Sequence, residues 1–423
     1  MAPSPREPDI IDHRPRDFWS VKNHPLSGIT AVQWARLCWR HFRDIDVCTY
    51  WPRLVFLTIM SLLNTCGALV DTLVYGAAVR KQPLNDEPVF IIGHPRTGTT
   101  HLHNLLSKDD RFVCATTFSV GFPSSCLCLR AIAPLMGLIM DNKRPMDDMA
   151  LGWDTPQEDE LAVNMMSGGV SPYMPLLLPR KEKSFRKYYR FLTGAVPAEP
   201  KKNDGSTALK SDNATRTRGG KAAASDDYCD PQSLLAWKTS FLHFLKKTQY
   251  AAEKGATRKR LLLKSPVHTA RVALLREMFP KATFIFVHRH PCAVFQSAAH
   301  MADAYYWQCY LQKPTVQDTQ EFILYQGALL HRAYMEDISG VDEGRKTEVR
   351  FEDLDGDLLE TVQKLYEDLG WREHFERTKP TLLRYQSSLK DFKKNAFTRE
   401  LSAEAVAVVR RRWRQWFDDL GYQ

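Results

Sequence analysis

The chain of 423 residues is 44% hydrophobic and 25% charged, which is the composition of a globular protein with room for one large domain or two smaller ones. Its net charge of +9 favours anionic partners, such as phosphorylated cofactors or an acidic membrane surface. Lysine and arginine form no block interleaved with aromatic residues, so the sequence argues against nucleic acid as a partner.

The chain begins with a polar, proline-rich stretch. We predict a loose arm over residues 1–25, and we expect no cleavable signal peptide because the stretch has no early apolar run. Residues 26–82 are predicted to form a helical segment, for which association with a membrane is one interpretation.

The most apolar run of this helical segment is Leu54 to Val70. It is shorter than the roughly 20 residues that a hydrocarbon span needs, and Asn64 and Gly67 interrupt it. Aromatic residues before the run and Arg80-Lys81 after it are typical of a membrane interface. Three interpretations stay open: a helix that lies in the membrane interface or lines an apolar entrance, a buried core helix, and a transmembrane anchor.

A glycine loop follows the next apolar strand, in the sequence FIIGHPRTGTTHLHNLL. Gly93, Gly98 and Thr100 have the spacing of the ATP-binding phosphate loop, G-x-x-x-x-G-K-[ST]. Thr99, however, occupies the position of the lysine, and the nearest positive charge is Arg96 inside the loop. The sequence therefore raises the question of what a phosphate loop without its lysine binds.

Residues 83–423 are predicted to form the main domain, with a disordered insertion at 197–227 that has almost no large apolar residue. Beyond the insertion, the runs RLLLKSP, TFIFVHR and TEVRFEDL are predicted strands, the last of them ending at Leu354, and helical stretches separate them. Strands that alternate with helices predict an α/β fold with a mainly parallel sheet.

Polar groups follow three of the four predicted strands. The first strand ends in the glycine loop, the second in Lys264 with His268 beyond it, and the third in Arg289, with Ser297 further along the next helix. Ligands bind beyond the carboxyl ends of parallel strands, so we expect a polyanion site built from cations, hydroxyls and loop N–H groups. Two of these strands end in cations where a magnesium site needs a carboxylate, so we expect no metal. A P-loop kinase or NTPase is therefore the less favoured alternative.

From about Trp51 to Tyr422, apart from the insertion, the sequence resembles the sulfotransferase family, in its large bacterial-type branch. The matching pieces are FIIGHPRTGTTHLHNLLSKDDRF, KRPMDDMALGWDTPQEDELA, LLLKSPVHTARVALLREMFPKATFIFVHRHPCAVFQS, EVRFEDL, KDFKKNAFTRELS and RRWRQWFDDLGY. The resemblance implies a P-loop-like three-layer sandwich. It also implies an enzyme that moves a sulfuryl group from 3′-phosphoadenosine 5′-phosphosulfate (PAPS) to a hydroxyl or similar acceptor, by in-line displacement.

The resemblance further implies which residues hold PAPS. The glycine loop would wrap the 5′-phosphosulfate, with Arg96 in the charge role that a lysine has in other branches. Arg289 and Ser297 match the family's pair for the 3′-phosphate, and Lys264 matches the lysine beside the phosphosulfate. The residues expected to bind the donor are His94, Pro95, Arg96, Thr97, Gly98, Thr99, Thr100, Arg289 and Ser297.

A base is expected to remove the acceptor proton. Many relatives carry Glu or Gln shortly after the glycine loop, where this chain has Ser119. The alternatives are Glu158 and Glu160 in DTPQEDELA and His268 in KSPVH, although helix capping or loop hydrogen bonds would also explain these residues. We favour Glu158, followed by His268. The predicted catalytic residues are thus Arg96, Lys264, Glu158 and His268.

The apolar run before the loop and the methionine- and leucine-rich stretch 130–178 favour a small-molecule or lipid-like acceptor and contact with a membrane interface. Because Ser119 cannot act as a strong base, a non-catalytic, membrane-associated relative is a further alternative. The odd number of cysteines, nine, favours a reducing compartment. We favour the cytoplasm or the cytoplasmic face of a membrane, with a Golgi-type membrane as the alternative. The sequence does not predict an oligomeric state.

Overall fold

The computed structural model describes residues 7–136, 149, 152–193, 228–388 and 400–423. The predicted disordered insertion at 197–227 lies outside the described residues.

A parallel sheet of five strands forms the centre of the fold, in the order β2-β3-β1-β4-β5. The strands are β1 (Val89–Ile92), β2 (Phe112–Cys114), β3 (Arg260–Lys264), β4 (Thr283–His288) and β5 (Lys346–Arg350). Four of them match the predicted strands, although β5 ends at Arg350 and not at Leu354, because a helix begins at Phe351. The α/β fold with a mainly parallel sheet is confirmed.

Helices connect the strands and cover the sheet. They are α1 (Ala31–His41), α2 (Val47–Lys81), α3 (Thr99–Leu106), α4 (Thr117–Gly121), α5 (Ala133–Met136), α6 (Asp159–Ser167), α7 (Glu182–Phe185), α8 (Pro231–Glu253), α9 (Val272–Met278), α10 (Pro291–Tyr305), α11 (Val316–Asp337), α12 (Phe351–Gly356), α13 (Leu358–Asp368), α14 (Arg372–Ser388), α15 (Ala403–Arg412) and α16 (Arg414–Asp419).

Helices bury the sheet on both faces. Successive side chains of a strand point to opposite sides, so each strand contributes to two cores. Phe90 and Ile92 of β1 belong to a core with Trp237 and Phe241 of α8. Val89 and Ile91 belong to a second core, on the side of α3 and α13. Two helical layers around one sheet form the predicted three-layer sandwich.

The described part of the predicted arm, residues 7–25, includes contacts with the body of the protein. Ile11 and His13 are buried against the body of the protein. The guanidinium of Arg53, which is also buried, donates hydrogen bonds to the backbone carbonyls of Asp17 and Ser20. A buried guanidinium requires acceptors, and this segment of backbone supplies two of them.

Candidate active site

The glycine loop joins β1 to α3 and has a backbone that glycine and one strained residue permit. Gly93 and Gly98 have φ values of 144° and 96°, and Arg96 also lies in the left-handed region, at 76°. A Cβ atom at Gly98 would lie 2.3 Å from a ring carbon of Phe351, so the loop passes directly over this ring. The hydroxyl of Thr269 accepts a hydrogen bond from the Gly93 N–H group, 2.7 Å away. These contacts fix the conformation of the loop, which leads directly into the N-terminus of α3.

Three residues of the predicted polyanion site meet at this loop. The Nε atom of Arg96 donates to the hydroxyl of Ser297 over 3.0 Å. A guanidinium nitrogen of Arg289 lies 3.5 Å from the Arg96 carbonyl oxygen, and the guanidinium stands 4.4 Å from the centre of the Phe351 ring. Burial lowers the pKa of Arg289 below its usual value. Two cations and a hydroxyl from three parts of the sequence therefore meet beside the loop.

The other predicted loop residues face in two directions. Gly98, Thr99 and Thr100 line a cleft together with Arg96, whereas the side chains of His94 and Thr97 are buried in the protein. Pro95 is half-buried, and its carbonyl oxygen lies 2.6 Å from the His94 ring. Burial lowers the pKa of His94 to about 4, and its ring packs against Trp413 and Trp416. His94 thus anchors the loop to the C-terminal helices.

Lys264 connects the loop to the first carboxylate of the PQEDE motif. Its Nζ atom lies 2.7 Å from a carboxylate oxygen of Glu158 and 3.3 Å from the Thr100 hydroxyl. The hydroxyl of Tyr173 donates to the other Glu158 oxygen over 2.7 Å. Lys264 is almost fully buried, whereas the Glu158 side chain keeps 20% of its surface exposed. Glu158 is therefore fixed by two partners, and Lys264 links it to a threonine that lines the cleft.

The next carboxylate, Asp159, is paired with His268. The Nε2 atom of His268 lies 2.6 Å from Asp159 Oδ2, and the Ser265 hydroxyl donates to the other oxygen. Burial by itself raises the pKa of Asp159, but His268 and the hydrogen bonds outweigh it, and the pKa is lowered overall. Both side chains are fully buried. The pair therefore fastens the start of α6 to the end of β3.

The third carboxylate, Glu160, has no exposed surface. Both of its oxygens accept hydrogen bonds from the Arg271 guanidinium, at 2.7 and 3.1 Å. The Ser171 hydroxyl and the Trp237 indole N–H group also donate to it. These contacts enclose the carboxylate between α6, α8 and the segment after β3.

Ser119, where relatives often carry a proton acceptor, caps a helix. Its N–H group donates to the Thr116 hydroxyl, and its own hydroxyl accepts from the Thr116 N–H group. Thr116 lines the cleft, so this short helix forms part of the cleft wall.

The cleft has a volume of about 1250 Å³, which exceeds that of a typical drug-sized ligand site. Sequence reasoning missed much of its wall. Besides the loop, it is lined by Asn104 of α3, Lys108 just after α3, Trp153 before α6, and Tyr385 of α14. These residues stand outside the loop and the strand ends, so no local pattern marks them. Among the described residues, no group of three or more His, Cys, Asp or Glu side chains could hold a metal ion.

Comparison with known proteins identifies the family of this chain. The model of the sulfotransferase family matches residues 88–163 and 170–376. The omega-hydroxy-beta-dihydromenaquinone-9 sulfotransferase Stf3 of Mycobacterium bovis is 31% identical over 395 residues, which cover 93% of this chain and 90% of that protein.

Two solved structures share the fold at low sequence identity. Sulfotransferase STF1 of Mycobacterium tuberculosis gives a TM-score of 0.56 at 14% identity, over 90% of each chain. Sulfotransferase STF9 of Mycobacterium avium gives 0.54 at 14% identity, over 97% of this chain and 93% of its own. The family match, the relative and the shared fold agree, and the chain belongs to the sulfotransferase family as an enzyme of sulfuryl transfer.

Proposed function

We propose that the donor is PAPS and that the cleft beside the glycine loop binds it. The N–H groups of residues 96–100, with Arg96 and Lys264, would hold the 5′-phosphosulfate, because such groups favour anions at a helix N-terminus. Arg289 and Ser297 would hold the 3′-phosphate. The observation that carries this proposal is the meeting of Arg96, Arg289 and Ser297 at one edge of the sheet.

We propose Glu158 as the base. In the transfer, the acceptor oxygen bonds to sulfur while the bond between sulfur and the phosphate oxygen breaks, which leaves 3′-phosphoadenosine 5′-phosphate. Glu158 would take the acceptor proton, while Arg96, Lys264 and the loop N–H groups stabilise the charge that develops on the sulfuryl and bridging oxygens. The support is positional: Lys264 and Tyr173 each hold one oxygen of Glu158 at 2.7 Å.

The other two base candidates are better explained as positioning residues. His268 is fully buried against Asp159, and Glu160 is enclosed by Arg271. Each pair connects α6 to the segment that follows β3. We propose that they set the position of Glu158 at the start of α6 and have no direct contact with the acceptor.

We further propose a hydroxylated, lipid-like acceptor that is reached from a membrane. The relative Stf3 is named for a menaquinone that carries an omega-hydroxyl group, which joins a nucleophile to a long apolar chain. Aromatic side chains such as Trp153, Phe112 and Tyr385 line the cleft, which suits an apolar acceptor.

The test is transfer of labelled sulfate from PAPS to a lipid extract, followed by mass spectrometry of the product. Arg96→Ala and Lys264→Ala are each expected to lower kcat/KM by about 10² to 10³, the usual loss when one charge-stabilising group is removed. Arg372→Ala, which changes an exposed arginine of α14, serves as the control. Calorimetry compares 3′-phosphoadenosine 5′-phosphate with magnesium-ATP as ligands. Turnover that survives both changes, or a preference for magnesium-ATP, would refute the assignment.

A further inference from the structure

The long helix α2 has its polar and apolar faces reversed relative to a helix on the surface of a soluble protein. The residues that face the protein include Arg53, Ser61, Asn64 and Asp71, all of them buried. Large apolar side chains face outward at spacings of mostly three or four residues. These exposed side chains are Val47, Trp51, Val55, Ile59, Leu62, Leu63, Leu69, Val70, Leu73 and Val74, which we call the α2 outer face.

The buried polar side chains attach α2 firmly to the folded domain. Arg53 donates to the carbonyl oxygens of Tyr310 and Trp307, each at 2.6 Å. Asn64 donates to the Ser27 carbonyl, and Asp71 pairs with Lys247 of α8 over 2.7 Å. Among the described helices, α2 is the one that is long and apolar enough to cross a membrane. Insertion across a bilayer would break these bonds and place the polar groups in hydrocarbon, which is costly.

The charges around the α2 outer face are complementary to an anionic surface. Asp71 is the one carboxylate within α2, and it is buried. Exposed cations stand at both ends: Arg40 and Arg43 shortly before the helix, and Arg80 and Lys81 at its end. A symmetric dimer through this face would bring together the basic surfaces of two chains, each with a net charge of +9, and these surfaces repel each other.

We propose that α2 lies in the plane of a bilayer with anionic lipids, with the α2 outer face inserted at the boundary of head groups and acyl chains. Interfacial helices insert an apolar face and keep cations near anionic head groups. An exposed apolar surface of this extent marks an interaction site in a soluble fold. Trp51 lies near the N-terminal end of the face, where an aromatic side chain favours the interface.

The α2 helix also packs against a cluster that reaches the wall of the cleft. Met60 packs against a cluster that contains Phe118, Phe122 and Trp153, and Trp153 lines the cleft. A lipid-like acceptor would therefore have a short path from the bilayer past this cluster to the donor. This part of the inference rests on the proposed function.

The test is flotation of the full chain with vesicles of phosphatidylcholine, with and without phosphatidylglycerol. We expect binding that increases with phosphatidylglycerol and weakens in salt. A double variant with Leu62→Glu and Leu73→Glu should bind the vesicles at least about tenfold more weakly than the wild type. Leu235→Glu changes an exposed leucine of α8 and should bind like the wild type. All variants should keep sulfate transfer to a short-chain, water-soluble alcohol.

Four outcomes would overturn the proposal. The first two are no vesicle binding by the wild type and equal binding by the double variant. The third is resistance to extraction with alkaline carbonate, which indicates a spanning helix, and the fourth is a wild-type dimer that does not bind vesicles and that becomes monomeric in the double variant. Failure of the proposed function can be distinguished from failure of this proposal. In that case neither the wild type nor any variant would transfer sulfate to the soluble alcohol, and the flotation result would be unchanged.

Discussion

Glu158, Asp159 and Glu160 follow one another in the sequence, yet they have three different environments. Glu158 is partly exposed and contacts Lys264, whereas Asp159 and Glu160 are buried against His268 and Arg271. At the start of a helix, consecutive residues point about 100° apart, so one motif can supply both a reactive group and two structural ones. Substitution of Glu158 should therefore affect mainly the reaction, whereas substitution of its buried neighbours should affect mainly the stability of the fold.

This separation is testable with two amide substitutions. Glu158→Gln should lower kcat by about 10² to 10⁴, because an amide cannot accept the acceptor proton. It should cost less stability than the change at Glu160, because the Glu158 side chain keeps 20% of its surface exposed to water. Glu160→Gln should instead destabilise the fold by about 3 to 5 kcal/mol, because Arg271 loses its buried carboxylate. Steady-state kinetics and urea unfolding of both variants check this. A stable Glu160→Gln variant without activity would reverse the assignment of the base.

At the scale of elements, a buried ion pair connects α2 to α8. The Nζ atom of Lys247 contacts Asp71 and the Pro123 carbonyl oxygen at 2.7 and 2.8 Å, and Asp71 also accepts from the N–H groups of Leu127 and Cys128. These contacts hold the segment between α4 and α5 against α2. The position of the apolar helix thus depends on a charge that is almost inaccessible to water.

Lys247→Met should cost about 3 to 5 kcal/mol in the free energy of unfolding, because it leaves the Asp71 carboxylate buried and unpaired. Adding Asp71→Asn should recover part of this loss, since it removes the unpaired charge while the amide oxygen can still accept from the Cys128 N–H group. The exposed pair of Lys238 and Glu277 offers a control, for which Lys238→Met should change stability by less than about 1 kcal/mol. Urea unfolding measures all of them, and a double variant weaker than the single one would contradict the pairing.

At the scale of the whole molecule, three fully buried histidines make the fold sensitive to acid. Burial lowers the pKa of His24 and of His103 to about 3, and that of His94 to about 4. Each is neutral in the folded state, while the unfolded chain binds protons below its usual pKa of 6.5. Unfolding therefore becomes more favourable as the pH falls from about 6.5 towards 4, by up to about 1.4 kcal/mol per pH unit for each histidine.

The measurement is the free energy of unfolding between pH 7 and pH 4. We expect His103→Asn to flatten its slope against pH, whatever the variant does to stability at pH 7. His374, which is exposed on α14, gives the control, and His374→Gln should leave the slope as it is. A slope that stays the same in His103→Asn would show that this histidine does not take up its proton on unfolding.

Local patterns made the centre of this protein predictable. The glycine loop, three long apolar strands and the cations after them are contiguous signals, and parallel strands bring their carboxyl ends to one edge. The three-residue strand β2 carries no such pattern, because it is too short to show a period. The cleft residues Trp153 and Tyr385 were missed for a related reason, since only the fold brings them to the same cleft as the loop.

The sequence by itself thus determined the α/β class, the loop and the positive charge of the site, because each depends on residues that are neighbours in the chain or stand at strand ends. The tertiary structure alone decided which carboxylate of PQEDE contacts Lys264. It also decided that Ile11, His13 and His24 are buried against the body and that α2 turns its apolar side outward. These outcomes depend on burial and on partners far away in the chain, such as Arg271 for Glu160 and Lys247 for Asp71.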